Sequence, residues 1–393
     1  MSEQIAAQTK HIGDLVVQGF GNLKRKYSQL REARVAGTVN RVNSREIHYN
    51  RLHSSLLPLL RQQIQTISIL LEPQALWNEP ESRLRQVLEI QPELDFNLSE
   101  IDSAALIVCP GSIHSTTQTD LNDQELKEFK TYRLIELDGM INFTIHNICS
   151  IFHDAPEKIE QMQLSTGQLF DEWDGDLVSA HEDSSRTAVE WIGYTIRHLK
   201  GSELDVVEDC GRCARPGIDE LLDRVISIVD PTIRPTRFSH RRLIRQPIIQ
   251  LTKLIIPIIK LVQLFFKKLS KAGLNNKKSL NLPAFTQMNS NQLKALSRSA
   301  GKFYRDLNEL VRLLTDADAR IGEALVIDHQ LLIQTAQRLV IKSEAPLLSI
   351  FLYFIPLINH LPDQNFFQTW FVTWNTLINA AVHNFVQLAR NLN

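Results

Sequence analysis

Cys210 and Cys213, separated only by Gly211 and Arg212, have the spacing of half a zinc knuckle or of a thiol redox pair. Zinc would require a second ligand pair nearby, and none follows at knuckle distance. A redox pair would require a strand-to-helix turn in a sheet, and the chain has no series of strand patterns from which to build one. The bland alternative is two loop cysteines. His146, Cys149 and His153 recur at intervals that put three soft or borderline donors on one helix face, with Asp154 just beyond, as at the start of a zinc or copper site. They also interleave with Ile145, Ile148 and Ile151, so they equally fit the edge of an apolar stripe. Arg234, Arg237, Arg241, Arg242 and Arg245, with Phe238 and His240 among them, form the densest like-charge patch. Guanidinium forks chelate phosphates and carboxylates, so this patch could dock an anion, nucleic acid or an acidic partner. As a solvated linker, its arginines would instead pair with acids such as Asp205, Glu208 and Asp209.

Nothing else announces catalysis. Asp316 and Asp318 diverge on a helix, as do Glu182 and Asp183, so neither pair suits joint acid–base work. No phosphate-binding loop, dinucleotide fingerprint, zinc-protease helix or nucleophile elbow occurs. The 43 basic and 44 acidic side chains leave a formal charge of -1, so no global field draws the protein to nucleic acid or an anionic membrane. The 393 residues, 43 % hydrophobic and 22 % charged, have globular composition. Four cysteines are too few for a disulfide scaffold and suit a reducing compartment. The first residues lack the apolar core of a signal peptide, so a cytoplasmic site is expected, with passage into the nucleus compatible.

The elements that must position these groups are helices. Residues 3–43 are helix-prone, with Gly13, Gly19 and Gly21 as candidate breaks. Leu52, Leu56, Leu60, Ile64, Ile67 and Leu70 mark one face of a long helix with a kink expected at Pro58. Shorter helices are predicted at 80–91 and 93–108, a long one from Asp123 to Phe152, and weaker ones at 156–171 and 184–200. A loop carrying both Cys210 and Cys213 is predicted next, then a helix at 218–229. Beyond it, segments 247–272, 289–315, 321–341, 345–359 and 364–391 read as helical. Pro247 to Phe266 is apolar enough to suggest a membrane span, but Gln250, Lys253, Lys260, Gln263 and Lys267 draw a polar line along it. Each charge at membrane depth would cost roughly 2.5–3.5 kcal/mol, which favours a bundle helix with one wet edge. In the last helix Phe366, Phe367, Trp370, Phe371, Trp374, Leu377, Ile378 and Phe385 form a broad apolar stripe, expected to be core with both indoles inside.

Several runs resemble an expanded, largely uncharacterised family of helical proteins in rust fungi: Ser54-Ser-Leu-Leu-Pro-Leu-Leu-Arg61, Leu88-Glu-Ile-Gln-Pro-Glu-Leu-Asp95, Lys200-Gly-Ser-Glu-Leu-Asp205, Phe265-Phe-Lys-Lys-Leu-Ser270 and Thr369-Trp-Phe-Val-Thr-Trp-Asn375. That resemblance implies no activity, cofactor or catalytic residue. In architecture the chain also resembles the cyclin-D-binding, vinculin-like helical bundle proteins, which implies protein binding through bundle surfaces.

The sequence therefore predicts an all-α protein of about a dozen helices in antiparallel bundles. Its expected division is an N-terminal bundle over 1–229, an Arg/Pro-rich linker over 230–246 and a C-terminal bundle over 247–393. The leading expectation is a non-catalytic interaction or scaffold protein with another protein as partner, no membrane, no nucleic acid and no cofactor. A metal- or thiol-dependent enzyme without a motif, using His146, Cys149, His153, Cys210 or Cys213, is the first alternative. A phosphate- or nucleic-acid-binding module using the arginine cluster is the second.

Overall fold

Amphipathic periods of three and four residues close onto one another as helices throughout. The computed structural model describes residues 2–29, 42–110, 122–167, 184–212, 214–230, 232, 242–270, 283–319, 328–358 and 360–391, and among them there is no strand. The chain divides into two units, 1–118 with 133–200, and 119–132 with 201–393.

The first unit contains α1 (Ser2–Gln29), α2 (Val42–Arg51), a π-helical turn (Leu52–Leu56), α3 (Leu57–Leu70), α4 (Pro73–Asn78), α5 (Pro80–Val108), α6 (Thr131–Gln161, from Arg133 onward) and α7 (Ser184–Lys200). α5 runs unbroken through Pro92, where the sequence suggested two helices, because packing against α1, α2 and α3 outweighs one lost backbone hydrogen bond. The glycines of α1 do not break it either. A Cβ at Gly13 would lie 1.8 Å from the Leu164 carbonyl oxygen, and one at Gly19 would lie 2.1 Å from Gln91 Oε1, so these glycines permit close approach. α6 passes through Pro156 to Gln161, and the expected separate helix at 156–171 is absent from the described residues.

A buried polar knot joins α6 to α7. Arg133, 1 % exposed, donates from Nη2 to the His198 carbonyl at 3.0 Å, and His198 Nε2 bonds the Arg133 carbonyl at 3.0 Å. Farther along the pair of helices, the Thr144 and Thr195 hydroxyls meet at 3.1 Å. Burial, and then the Arg133 charge, push the His198 imidazole down to about 3.

The second unit begins with a 3₁₀ segment (Gln124–Phe129) and the first residues of α6. It continues with α8 (Glu203–Arg212), α9 (Arg215–Val229), α10 (Gln246–Lys268), α11 (Ser290–Ser297), α12 (Ser299–Ala319), α13 (His329–Ser349), a π turn (Ile350–Phe354), a 3₁₀ turn (Ile355–Leu357) and α14 (Leu361–Arg390). The expected domain boundary at 230–246 lies inside this unit, because the apolar face of α9 (Ile218, Leu221, Val225, Ile228) shares one core with α10. Cys210 sits on a helix and not in the predicted loop. The predicted helix from Asp123 begins as the 3₁₀ segment and becomes α-helical only at Thr131, after a turn at Lys127 with φ 48°.

α10 packs against α9, α12 and α14. Ile248, Leu251, Ile255, Ile258, Ile259, Val262, Phe265 and Phe266 are buried, while Gln250, Lys253, Lys260 and Lys267 are exposed along one edge. By length and composition alone, this helix and His329–Leu357 could each cross a membrane. α14 buries Phe367, Phe371, Trp374, Ile378 and Phe385, and Trp374 Nε1 donates to the Leu261 carbonyl at 2.7 Å. The stripe is narrower than the sequence suggests: Phe366 and Leu377 are exposed, and Trp370 is half-buried.

Two consequences are measurable. Trp374→Ala should lower the unfolding free energy by roughly 3–5 kcal/mol in urea titration, the range for deleting a large buried aromatic. His198 stays neutral in the fold down to about pH 3, whereas the unfolded chain protonates it near 6.5. Its neutral form therefore stabilises fully above pH 6.5, and that contribution declines on acidification by up to about 1.4 kcal/mol per pH unit. Between pH 6.5 and 5 the urea midpoint of the parent should fall more steeply than that of His198→Gln; equal slopes would show that native His198 takes up protons.

Candidate functional site

The residues singled out for metal chemistry do not assemble. His146 is exposed, Cys149 is half-buried with its thiol pKa raised by burial, and His153 pairs with Glu157 at 3.5 Å. Cys210 lies 3.7 Å from the Tyr132 hydroxyl, and Cys213 falls outside the described residues. Among the described residues no group of three or more His, Cys, Asp or Glu could hold a metal ion. Of the arginine cluster, Arg234, Arg237 and Arg241 also fall outside the described residues. Arg242 is exposed and its charge, behind the Thr232 hydrogen bonds, helps to lower the Asp230 pKa. Arg245 serves structurally, its backbone N–H donating to Asp318 at 2.8 Å at the start of α10.

The structure brings together a different site, in the first unit. Pro58 has no N–H for the Ser54 carbonyl, and its ring would strike that carbonyl in a regular helix. The turn before it widens to π geometry, Leu57 N–H reaching the Leu52 carbonyl. Beside this turn runs the stretch of α5 that contains Pro92. Between them opens a groove of about 620 Å³, within the usual range for ligand sites. Leu56, Leu59, Pro92 and Phe96 give it apolar walls, and Arg51, Ser55 and Glu93 are polar residues lining it. Leu59 is 46 % and Phe96 68 % exposed, so two large apolar side chains on separate helices stand in water beside one opening.

Asn97 lies within this lining and is only 2 % exposed. Its Nδ2 donates to the Leu56 carbonyl at 3.2 Å and to Gln63 Oε1 at 2.9 Å, which fixes the amide and ties α5 to the wide turn. Its Oδ1 has no hydrogen-bond partner among the described residues. An unsatisfied buried acceptor costs roughly 1–3 kcal/mol, a burden that functional sites carry more often than plain cores. Arg51 and Glu100, 2.6 Å apart, link the end of α2 to α5 alongside. The sequence signals for this site were Pro58, read as a helix kink, and the gap at Pro92 between the helices expected at 80–91 and 93–108; Asn97 carried none.

Two family models match the chain. Residues 45–200 match the model of a domain of unknown function (DUF8723), and residues 202–387 match that of another (DUF8721). Both ranges meet at the structural division after Lys200. No curated protein and no solved structure matches the chain.

If the Asn97 amide holds the groove together, Asn97→Asp should be severe despite its equal size. A carboxylate offers no N–H to the Leu56 carbonyl or Gln63, and it would be buried unpaired. A loss of about 3 kcal/mol or more in urea unfolding is expected; a change under about 1 kcal/mol would show that these hydrogen bonds are dispensable.

Proposed function

We propose that this chain is a non-catalytic binding protein whose first unit seats an apolar helix of a partner protein in the Asn97 groove. The observation that carries this reading is the joint exposure of Leu59 and Phe96 beside one groove that Leu56 and Pro92 also line. A partner helix laid along such a groove buries its own apolar face on these side chains, the mode in which helical domains recognise amphipathic segments. Arg51 and Glu93 then supply opposite charges that fix direction and reject mismatched partners.

A soluble protein in a reducing compartment is consistent with the remaining features. Among the described residues Cys109, Cys149 and Cys210 form no disulfide. Lys253 and Lys260 lie on the exposed edge of α10, where a membrane would have to solvate two charges.

Replacing Leu59 and Phe96 together by Asp should abolish co-purification of a partner from native cells. Folding should change little, because exposed substitutions typically alter stability by about 0.5 kcal/mol each. Unchanged partner recovery by the folded double variant would refute the groove reading.

A further inference from the structure

Lys268 ends α10, and its ammonium rests among three rings of α14. Its Nζ is 4.5 Å from the Phe367 centroid, 4.6 Å from that of Phe366 and 5.7 Å from that of Trp370. The Phe366 and Phe367 rings meet at 72°, so they form two walls of a corner instead of one flat face. Among the described residues no carboxylate and no hydrogen-bond acceptor contributes to the electrostatics of this ammonium. The side chain is half-buried, and burial alone lowers its pKa. Its neighbour Lys267 points into water.

This environment suits a cation better than it suits a hydrogen-bond donor. A primary ammonium carries three N–H groups that need acceptors, and aromatic faces supply only weak ones. Each methyl group placed on the nitrogen exchanges an N–H that wants water for an apolar contact with a ring, while the positive charge and its attraction to the ring quadrupoles are kept. Aromatic corners of this type recognise methylated ammonium groups for that reason. Here the corner and the lysine belong to the same unit.

We propose that Lys268 is a site of Nζ-methylation, and that Phe366, Phe367 and Trp370 bind the methylated ammonium in cis, tightening the attachment of α14 to α10. The co-reactant is a sulfonium methyl donor. The ammonium first gives its proton to solvent; the amine lone pair then attacks the donor's methyl carbon as the carbon–sulfur bond breaks. The product is a methylammonium, and the sulfur leaves as a neutral thioether. The depressed pKa enlarges the fraction of reactive free amine. Half-exposure of the side chain allows Nζ to swing out to a modifying enzyme and return.

The full-length chain isolated from its native cells should carry one to three methyl groups on Lys268 in peptide mass spectra, with Lys267 unmodified. Separately, the full-length chain and its Lys268→Arg variant, both treated with formaldehyde and a borane reductant until peptide maps show complete dimethylation, should differ in response. Arginine keeps the charge but is not methylated, so the parent should gain roughly 2 °C or more in Tm relative to the variant, each against its untreated form. An unmodified Lys268 in the native protein overturns the modification. Equal shifts in parent and variant overturn the role assigned to the rings.

Discussion

Lys130 and Glu203 form an ion pair whose side chains are 0 % and 1 % exposed, and the second unit is organised around its satisfaction. Moving either charge alone into a dry interior costs several kcal/mol, so the pair persists only with nearly every polar atom engaged. Lys130 donates also to the Thr286 carbonyl at 2.8 Å. Glu203 accepts from the Thr286 N–H at 3.0 Å and from its hydroxyl at 2.5 Å, and lies in the first turn of α8, where the helix dipole favours a carboxylate. Close by, Asp123 accepts from the Ser290 N–H at 2.8 Å, the Ser290 hydroxyl at 2.5 Å and the Thr131 N–H at 2.9 Å. Three segments distant in sequence are thereby pinned together. This is why residues 119–132 belong with 201–393 and not with the residues on either side of them.

The helices built on this frame tolerate proline by different means. Pro92 and Pro257 sit inside α5 and α10 with helix continuing on both sides, where packing on neighbouring helices holds the chain straight enough. Pro58 instead follows a π turn. α13 carries Pro346 and passes into a second π turn at Ile350–Phe354, from which Phe351 reaches Phe371 of α14 at 6.5 Å. A widened turn alters the face that the following residues present, and in the first unit that shift opens the Asn97 groove.

Both surfaces with a functional reading share one physical trait: a polar group incompletely served by its own fold. Asn97 has one amide atom committed twice and the other without a partner among the described residues. Lys268 has a charge answered by rings but, among the described residues, not by acceptors. Elsewhere backbone carbonyls take up buried donors directly, as in the reciprocal Arg133–His198 backbone bonds or the bond from Trp374 to the Leu261 carbonyl.

The sequence by itself determined the all-helical class, the polar edge of α10 and the core role of Trp374, because helical periodicity is a local property that three- and four-residue spacings report directly. It also flagged His146, Cys149 and His153 as neighbours on one face, but neighbours on a helix become ligands only when a second element supplies the remaining donors, and none does among the described residues. The domain boundary escaped it for a related reason. Proline and arginine at 230–246 mark a break in helix, whereas unit membership is set by which apolar faces share a core, and α9 shares its core with α10. Phe366 and Trp370 read as core because spacing gives a face and not its width; the width depends on how far α10 extends, and its last residue, Lys268, is what meets those rings. The groove was decided wholly in three dimensions, since it needs Leu59 and Phe96, more than thirty residues apart in sequence, to stand beside one opening around an amide whose partners lie on the other helix.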